Sequence, residues 1–384
     1  MNALQTFQKY YQERWNYELI AQDWKEKGGK VVGYPDINCP EELVMAADCL
    51  PLLMTGDPGT GTEATDKHLE PYFSDSARHF YEAVVTERYH FVDLICFVAG
   101  DCSLSWIFHY FQEEKRFNPT LRIGEPYFLD RLTTTFGMDR VFNLDRLAAF
   151  RDYLEDFAGK RITIDALAQA FAITNETKRL LKEVSALRRA DQPRITGSEA
   201  LQIIMASMLM PKTAYNQLLR QFLENEVNSR PAQDGSRVRL FLSGSNIDNL
   251  GLYKIIETLP ATIVGEDTAF GDRYSDTPID EDLDPMEALV DRYTYKTPDP
   301  WMYGIDEIVK YRVDSAEAAK AQGVIFYQLR RDDPLAWDYS SQKRELAKRG
   351  IPILLLQEQE YKITAPEQIR AKVEAFIDTL PGRN

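Results

Sequence analysis

Three aspartates stand where a chain of alternating strands and helices gathers its chemistry. Asp36 follows the apolar run KVVGYP (30–35), Asp101 closes DLICFVAGD (93–101), and Asp332 follows GVIFYQL (323–329). Ligands and reacting groups collect beyond the carboxyl ends of the strands in open α/β sheets. Asp267, in VGED, adds a carboxylate of the same kind. Carboxylates drawn together raise one another's pKa values, which suits proton transfer near neutral pH. A solvated acidic rim is the plainer account of the same residues. Arg330 and Arg331, directly before Asp332, could hold cofactor phosphates or pair with Asp332 and Asp333.

Cys39 and Cys102 each stand a few residues beyond a strand and just before a helix. A helix N-terminus in that position stabilises a thiolate or a bound anion. Two thiolates fall short of the ligand set of an iron–sulfur cluster unless another group completes it. Cys49 and Cys96 lie within apolar passages and read as core thiols. Other motifs fail on spacing. GDPGTGTE (56–63) has neither the spacing nor the lysine of a phosphate loop and reads as a solvated or lid-like loop, and GEDTAFGDR (265–273) is no dinucleotide fingerprint. The four histidines, at 68, 79, 90 and 109, form no paired zinc-ligand pattern. There is no GxSxG elbow.

These residues need two sheets to position them. Short apolar runs alternate with helical patterns over 30–125 and again over 236–384, which predicts an α/β fold of two lobes with parallel sheets flanked by helices. Residues 1–29 read as an N-terminal helix. Residues 126–228, from EPYFLDRLTTTF onward, read as a purely helical segment joining the lobes, with Asp165 and Ser198 as candidate caps and NSRPAQDGSR as the linker beyond it. Phe7, Tyr10, Tyr11, Trp15 and Tyr17 make the N-terminal segment a candidate intersubunit contact.

At 384 residues, with 44% apolar residues, the chain has ample core material. A net charge of −15 argues against nucleic acid and against an anionic membrane surface. Local basic pairs, Arg188-Arg189 and Arg330-Arg331, leave room for a phosphate-bearing cofactor. The N-terminus lacks the apolar core of a signal peptide and no stretch is long enough to span a membrane, so a cytoplasmic protein is expected.

Several phrases occur in a telling order: VGYPDINCPEELVMAADCLPLLMTG, LRRADQPRITGSEALQI, RLFLSGSNIDN, VGEDTAFGDRY, DPMEALVDRY, GVIFYQLRRDDPLAWDY and GIPILLLQ. As an ordered set, from about residue 30 to 360, they resemble the D-component family of 2-hydroxyacyl-CoA dehydratases, most of all the B and C type subunits of ATP-dependent benzoyl-CoA reductase. The resemblance implies a cleft between two lobes that holds a 4Fe-4S cluster beside an acyl-CoA thioester. It also implies a homologous cluster-bearing subunit and a separate ATP-hydrolysing iron–sulfur partner that delivers single electrons. The implied reaction is reduction of an aromatic acyl-CoA ring to a cyclic diene, with Asp36, Asp101 and Asp332 as candidate acids and Tyr34 and His109 behind them. A radical 2-hydroxyacyl-CoA dehydratase subunit and a noncatalytic scaffold are the alternatives.

The departures from the family pattern matter. Where cluster-bearing members place cysteines, this chain has Asp36 with Cys39 displaced beside Pro40, then Asp101-Cys102, then Asp332. Carboxylate oxygen is a harder ligand than thiolate and suits a cluster less well. Either Cys39 and Cys102 ligate a cluster here in an unusual way, or this chain is the cluster-poor half of a heterodimer.

Overall fold

A computed structural model describes residues 1–296, 300–301 and 304–380. The first sheet contains β1 (Lys30–Tyr34), β2 (Cys49–Leu53), β3 (Leu94–Val98) and β4 (Glu125–Leu129). Its order is β2-β1-β3-β4, and every pairing is parallel. The second sheet contains β5 (Val238–Gly244), β6 (Ala261–Glu266), β7 (Gly323–Leu329) and β8 (Ile353–Gln359), in the order β6-β5-β7-β8 and again parallel throughout. The expected α/β class and the two parallel sheets are therefore present, and the two lobes share one winding. β2, β3, β6 and β7 are buried at every residue, as the continuous apolar runs of a sheet covered on both faces require.

Helices Gly137–Ala158, Ile164–Arg189, Gly197–Ala206 and Lys212–Gln221 lie between the sheets in sequence. One buried core runs through both lobes and these helices, so the joining segment is packed into the molecule rather than strung between its halves. Among the described residues no helix is long and apolar enough to cross a membrane.

Four expectations need correction. EPYFL is the edge strand β4, not part of a helix; its Glu125 is exposed and Tyr127 and Phe128 are only half-buried, so the fully apolar signature of the inner strands is missing. Pro126 is tolerated because an edge position has free ladder groups. Residues 1–29 form three helices, Ala3–Gln12, Tyr17–Ile20 and Gln22–Glu26. The first break comes where the Asn16 side chain accepts from Glu18 N and Leu19 N and starts a new helix. The helices of the middle segment are capped two residues earlier than expected, by Thr163 and Thr196 instead of Asp165 and Ser198. Finally, two of the five N-terminal aromatic residues turn inward, while Tyr10, Trp15 and Tyr17 are only partly buried. Phe7 and Tyr11 are buried, and the Phe7 ring lies 5.3 Å from that of Tyr215 in this same chain.

The family phrases meet in space. Arg188, 0% exposed, donates from Nη1 and Nη2 to Glu266 (2.5 and 2.9 Å) and from Nη2 to Asp272 (2.7 Å). Arg189 and Ser185 complete the shell of Asp272 at 2.6 and 2.5 Å. LRRAD and VGEDTAFGD are thus the two halves of one buried ion network. It occupies Arg188-Arg189, the pair that the sequence left open to a phosphate. Further along the Ile164–Arg189 helix, Lys178 pairs at 3.2 Å with Glu42 of the PEE phrase, also buried, which accepts from Tyr293 Oη at 2.8 Å. Glu41 accepts from Tyr274 Oη at 2.8 Å and pairs with Lys212 at 2.9 Å. First lobe, middle helices and second lobe are tied together by these buried charges.

Candidate functional site

In each sheet the strand order reverses between the two central strands, β1 and β3 in the first and β5 and β7 in the second. Loops leaving the carboxyl ends of such strands diverge and open a crevice. Asp36 leaves β1 and Asp101 lies just beyond β3; Ser245 leaves β5 and Asp332 lies just beyond β7. The same two positions in each lobe therefore carry the charged and polar side chains.

Asp36 is half-buried and its Oδ1 accepts from Asn38 N at 2.8 Å. Asp101 caps the Cys102–Phe117 helix, accepting from Leu104 N at 3.1 Å. Burial pushes its carboxyl up to about 7; the Leu104 N–H opposes the shift, and the charges of Asp332 and Asp36 reinforce it. Asp332 precedes the Asp333–Lys348 helix, and its Oδ2 accepts from Ser245 Oγ at 2.6 Å. Ser245 is itself pinned by Leu329 N, which donates to its Oγ at 2.9 Å. Gly244 makes this close crossing possible: its φ is +114°, and a Cβ there would stand 2.4 Å from Tyr327 O. Burial raises Asp332 to about 6, with Ser245 opposing, Asp333 adding to the rise and Arg312 opposing. The charge of Asp332 thus helps to hold the proton on Asp101.

The structure thus brings Asp36 and Asp332 within electrostatic reach of Asp101. Asp267 stands apart from them, fully engaged by Ser243 Oγ at 2.6 Å and by Arg312 at 3.5 Å. A cleft opens between the lobes, with Pro35, Met54, Phe80, Leu104 and Phe270 as its apolar walls and Asp101, Asn246 and Asp248 among its polar ones. Of the three aspartates only Asp101 lines it. Tyr34 and His109 do not line it; Tyr34 is buried with its hydroxyl toward Glu41, and His109 is exposed on its helix. Asp248, in the SNIDN phrase beyond β5, was not singled out by sequence. Its position past a central strand was the available signal, but nothing local separates it from a turn aspartate.

The arginines diverge. Arg330 pairs with Glu360 at 2.6 Å, rather than with Asp332 or Asp333, and its carbonyl accepts from Asp75 N of the first lobe at 3.2 Å. It lines a second opening beyond β8, with Thr364 and Lys372. Arg331 is exposed, in a left-handed conformation with φ +65°.

All four cysteines are free thiols, and Cys49 and Cys96 are buried, as apolar passages predict. Cys39 is buried too. Its thiol is pushed well above the ordinary range, first by burial and then by a hydrogen bond with Cys96. Cys102 is exposed at the helix start; partial burial and then the charge of Asp101 raise its pKa, so the helix does not make it a ready thiolate. Among the described residues no three His, Cys, Asp or Glu side chains are grouped so as to hold a metal ion.

Known proteins carry the same arrangement of sequence. Residues 36–380 match the family model for 2-hydroxyglutaryl-CoA dehydratase, D-component. The chain is 26% identical to the C-type subunit of benzoyl-CoA reductase from Thauera aromatica, over 80% of each chain. It is 23% identical to the (R)-phenyllactyl-CoA dehydratase beta subunit of Clostridium sporogenes, over 94% of this chain and 95% of the relative. The beta subunit of (R)-2-hydroxyglutaryl-CoA dehydratase from Acidaminococcus fermentans is 23% identical over 86% of this chain and 87% of its own. With nearly its whole length matched, the chain belongs to the D-component family of 2-hydroxyglutaryl-CoA dehydratase, as a subunit of the dehydratase and benzoyl-CoA reductase kind.

Proposed function

We propose that this chain is a subunit of an oxygen-sensitive benzoyl-CoA reductase-type enzyme, in which it supplies a proton and part of the acyl site. The 4Fe-4S cluster resides in a homologous partner, and ATP-hydrolysing iron–sulfur subunits deliver the electrons. The observation that carries the reading is Asp101, poised near pH 7 in the interlobe cleft with Asp332 and Asp36 close by. A general acid works best when its pKa lies near the working pH. Reduction of an aromatic acyl-CoA builds negative charge on the acyl group, and Asp101 is placed to discharge it by proton transfer. Asp332 and Asp36 act on that proton through their charge.

The donor set does not fit a 4Fe-4S cluster in this chain. The Cys39 thiol is buried against Cys96, Cys102 is exposed with a raised pKa, and Ser245 and Asn38 hold the Asp332 and Asp36 carboxylates. We therefore place the cluster in the partner and route no step through Cys39 or Cys102. Arg330, with Lys372 and Arg331, is the group we assign to the CoA phosphates. Its pair with Glu360 is half-exposed, and such pairs are weak enough for a phosphate to displace.

Asp101→Asn in the complex with its natural partners tests the reading. Activity is expected to fall at least about 100-fold with assembly unchanged. Full activity would leave the chain as a scaffold that clamps its cluster-bearing partner. Iron and acid-labile sulfide, measured on the isolated chain and on the complex, test the cluster assignment: iron is expected only in the complex. A second reading, radical 2-hydroxyacyl-CoA dehydratase, is favoured by the nearly full-length match to a phenyllactyl-CoA dehydratase subunit. Product analysis separates the two, since one reduces an aromatic thioester and the other removes water from a 2-hydroxyacyl-CoA.

A further inference from the structure

The proposed reaction needs a partner chain, and large aromatic rings stand exposed around the cleft. Trp106 is 58% exposed and Trp337 74%. Each is the fifth residue of a helix that leaves a central strand, Cys102–Phe117 after β3 and Asp333–Lys348 after β7. Five residues of α-helix rise about 6 Å, so both indoles stand close to the helix starts, beside Asp101 and Asp332. The inward faces of these helices carry Ile107 and Phe111 in one and Leu335 and Leu346 in the other, so the indoles point away from the core. The two lobes thus place the same large ring at the same point of the same connection.

A loop of the first lobe links the two positions into one surface. Tyr72, 60% exposed, stacks on Phe73 at 5.0 Å, and Phe73 meets Tyr110 edge-on at 5.7 Å. Tyr110 lies one turn beyond Trp106 on the same helix and donates to Glu70 at 2.6 Å. From there the loop reaches both lobes: Ser74 N donates to Ser103 Oγ at 3.4 Å, and Asp75 N donates at 3.2 Å to Arg330 O, just past the end of β7. Ser76 and Leu104, the next cleft-lining residues on either side, place the mouth of the cleft here. The three rings together expose on the order of 400 Å² of aromatic side chain, about half of what each side of a specific interface buries. Tryptophan and tyrosine rings gathered in this way are the usual anchors of protein interfaces.

We propose that Tyr72, Trp106 and Trp337 form the docking surface for the homologous cluster-bearing subunit, which seats over the mouth of the cleft. The inference rests on the proposed placement of the cluster in a partner. Electron transfer weakens steeply with distance, so a cluster carried by another chain serves an acyl group in this cleft only from directly over its mouth. The same docking shuts bulk water away from Asp101. A partner built on the same two lobes presents a two-lobed edge of its own, and one indole on each lobe of this chain matches such a face.

Carbene footprinting under argon, read by peptide mass spectrometry, tests the proposal. The samples are the chain alone and the chain co-expressed and co-purified with a homologous subunit that has cysteines at the three strand ends. In the chain alone Tyr72, Trp106 and Trp337 should all label. In the complex their labelling should fall about tenfold, as for residues at the core of an interface. Phe117, 72% exposed at the far end of the helix that carries Trp106, should label equally in both samples. Trp106→Ala and Trp337→Ala alter exposed side chains and leave the fold intact; each should weaken the complex about 30-fold, the loss of an interface anchor. Undiminished labelling of both indoles in an assembled complex overturns the proposal, and so does unweakened assembly of a variant carrying both substitutions; in either case the acyl-CoA reading still stands. Protection in the chain alone that disappears on dilution would give the face to a second copy of this chain and overturns the proposal too. If no cluster-bearing homologue assembles with the chain, the placement of the cluster in a partner has failed and this inference falls with it.

Discussion

Replacing Arg188 with methionine should destabilise the protein in a way that depends on pH. The guanidinium is fully buried and supplies both side-chain hydrogen bonds to Glu266, at 2.5 and 2.9 Å. Asp272 loses one contact but keeps Arg189 and Ser185 at 2.6 and 2.5 Å, so the damage concentrates on Glu266. Removing one partner of a buried ion pair typically costs about 3–5 kcal/mol. Glu266 has an escape: burial already raises its carboxyl and Arg188 is the main opposition, so without Arg188 it takes a proton. Protonating an ordinary glutamate at pH 7 costs about 4 kcal/mol, which sets a ceiling on the loss. In the variant the folded-state pKa of Glu266 lies above its unfolded value, so the folded form binds the extra proton and stability declines as pH rises. The difference between wild type and variant should therefore be about 3–4 kcal/mol at pH 7 and shrink by about 1.4 kcal/mol for each unit of pH lowered toward 5. Denaturant unfolding of both proteins in parallel, at pH 5, 6 and 7, measures it. Adding Glu266→Leu to the variant should restore much of the lost stability, because the orphaned charge is gone. A loss below about 1 kcal/mol, or one that does not change with pH, would refute the assignment of the cost to Glu266.

Asp101→Asn should raise the melting temperature at pH 8 even as activity falls, because burial and neighbouring charge penalise the ionised carboxyl above its unfolded pKa; in the wild type the activity that depends on its proton should decline as pH rises through about 7, and the variant should lack that limb. Ser245→Ala removes the donor to Asp332 and the acceptor for Leu329 N, and should cost about 1–3 kcal/mol by denaturant unfolding while raising the apparent pKa of Asp332 further, seen by carboxyl NMR. Iodoacetamide applied to the folded chain at pH 7.5 should modify Cys102 alone and slowly, since it is exposed with a raised pKa while Cys39, Cys49 and Cys96 are buried; mass spectrometry of peptides reads the result, and early labelling of Cys39 would contradict its place in the core.

The amino-acid order alone determines the seven apolar runs that became β1–β3 and β5–β8; those of β2, β3, β6 and β7 are continuous because strands buried on both faces must be apolar at nearly every position. It also places Asp36, Asp101 and Asp332 at the carboxyl ends of strands, since a parallel sheet turns the end of every strand toward one edge. β4 escaped detection because its run EPYFL is short, begins with an exposed glutamate and a proline, and is only partly buried. Which charges pair was settled only by tertiary contact. Arg188 and Glu266 are separated by 78 residues and Ser245 and Asp332 by 87, and no local pattern couples residues so distant. The same holds for the acid near pH 7: a carboxyl's pKa depends on which surfaces exclude water around it. Those surfaces belong to two lobes that meet only when the chain has folded.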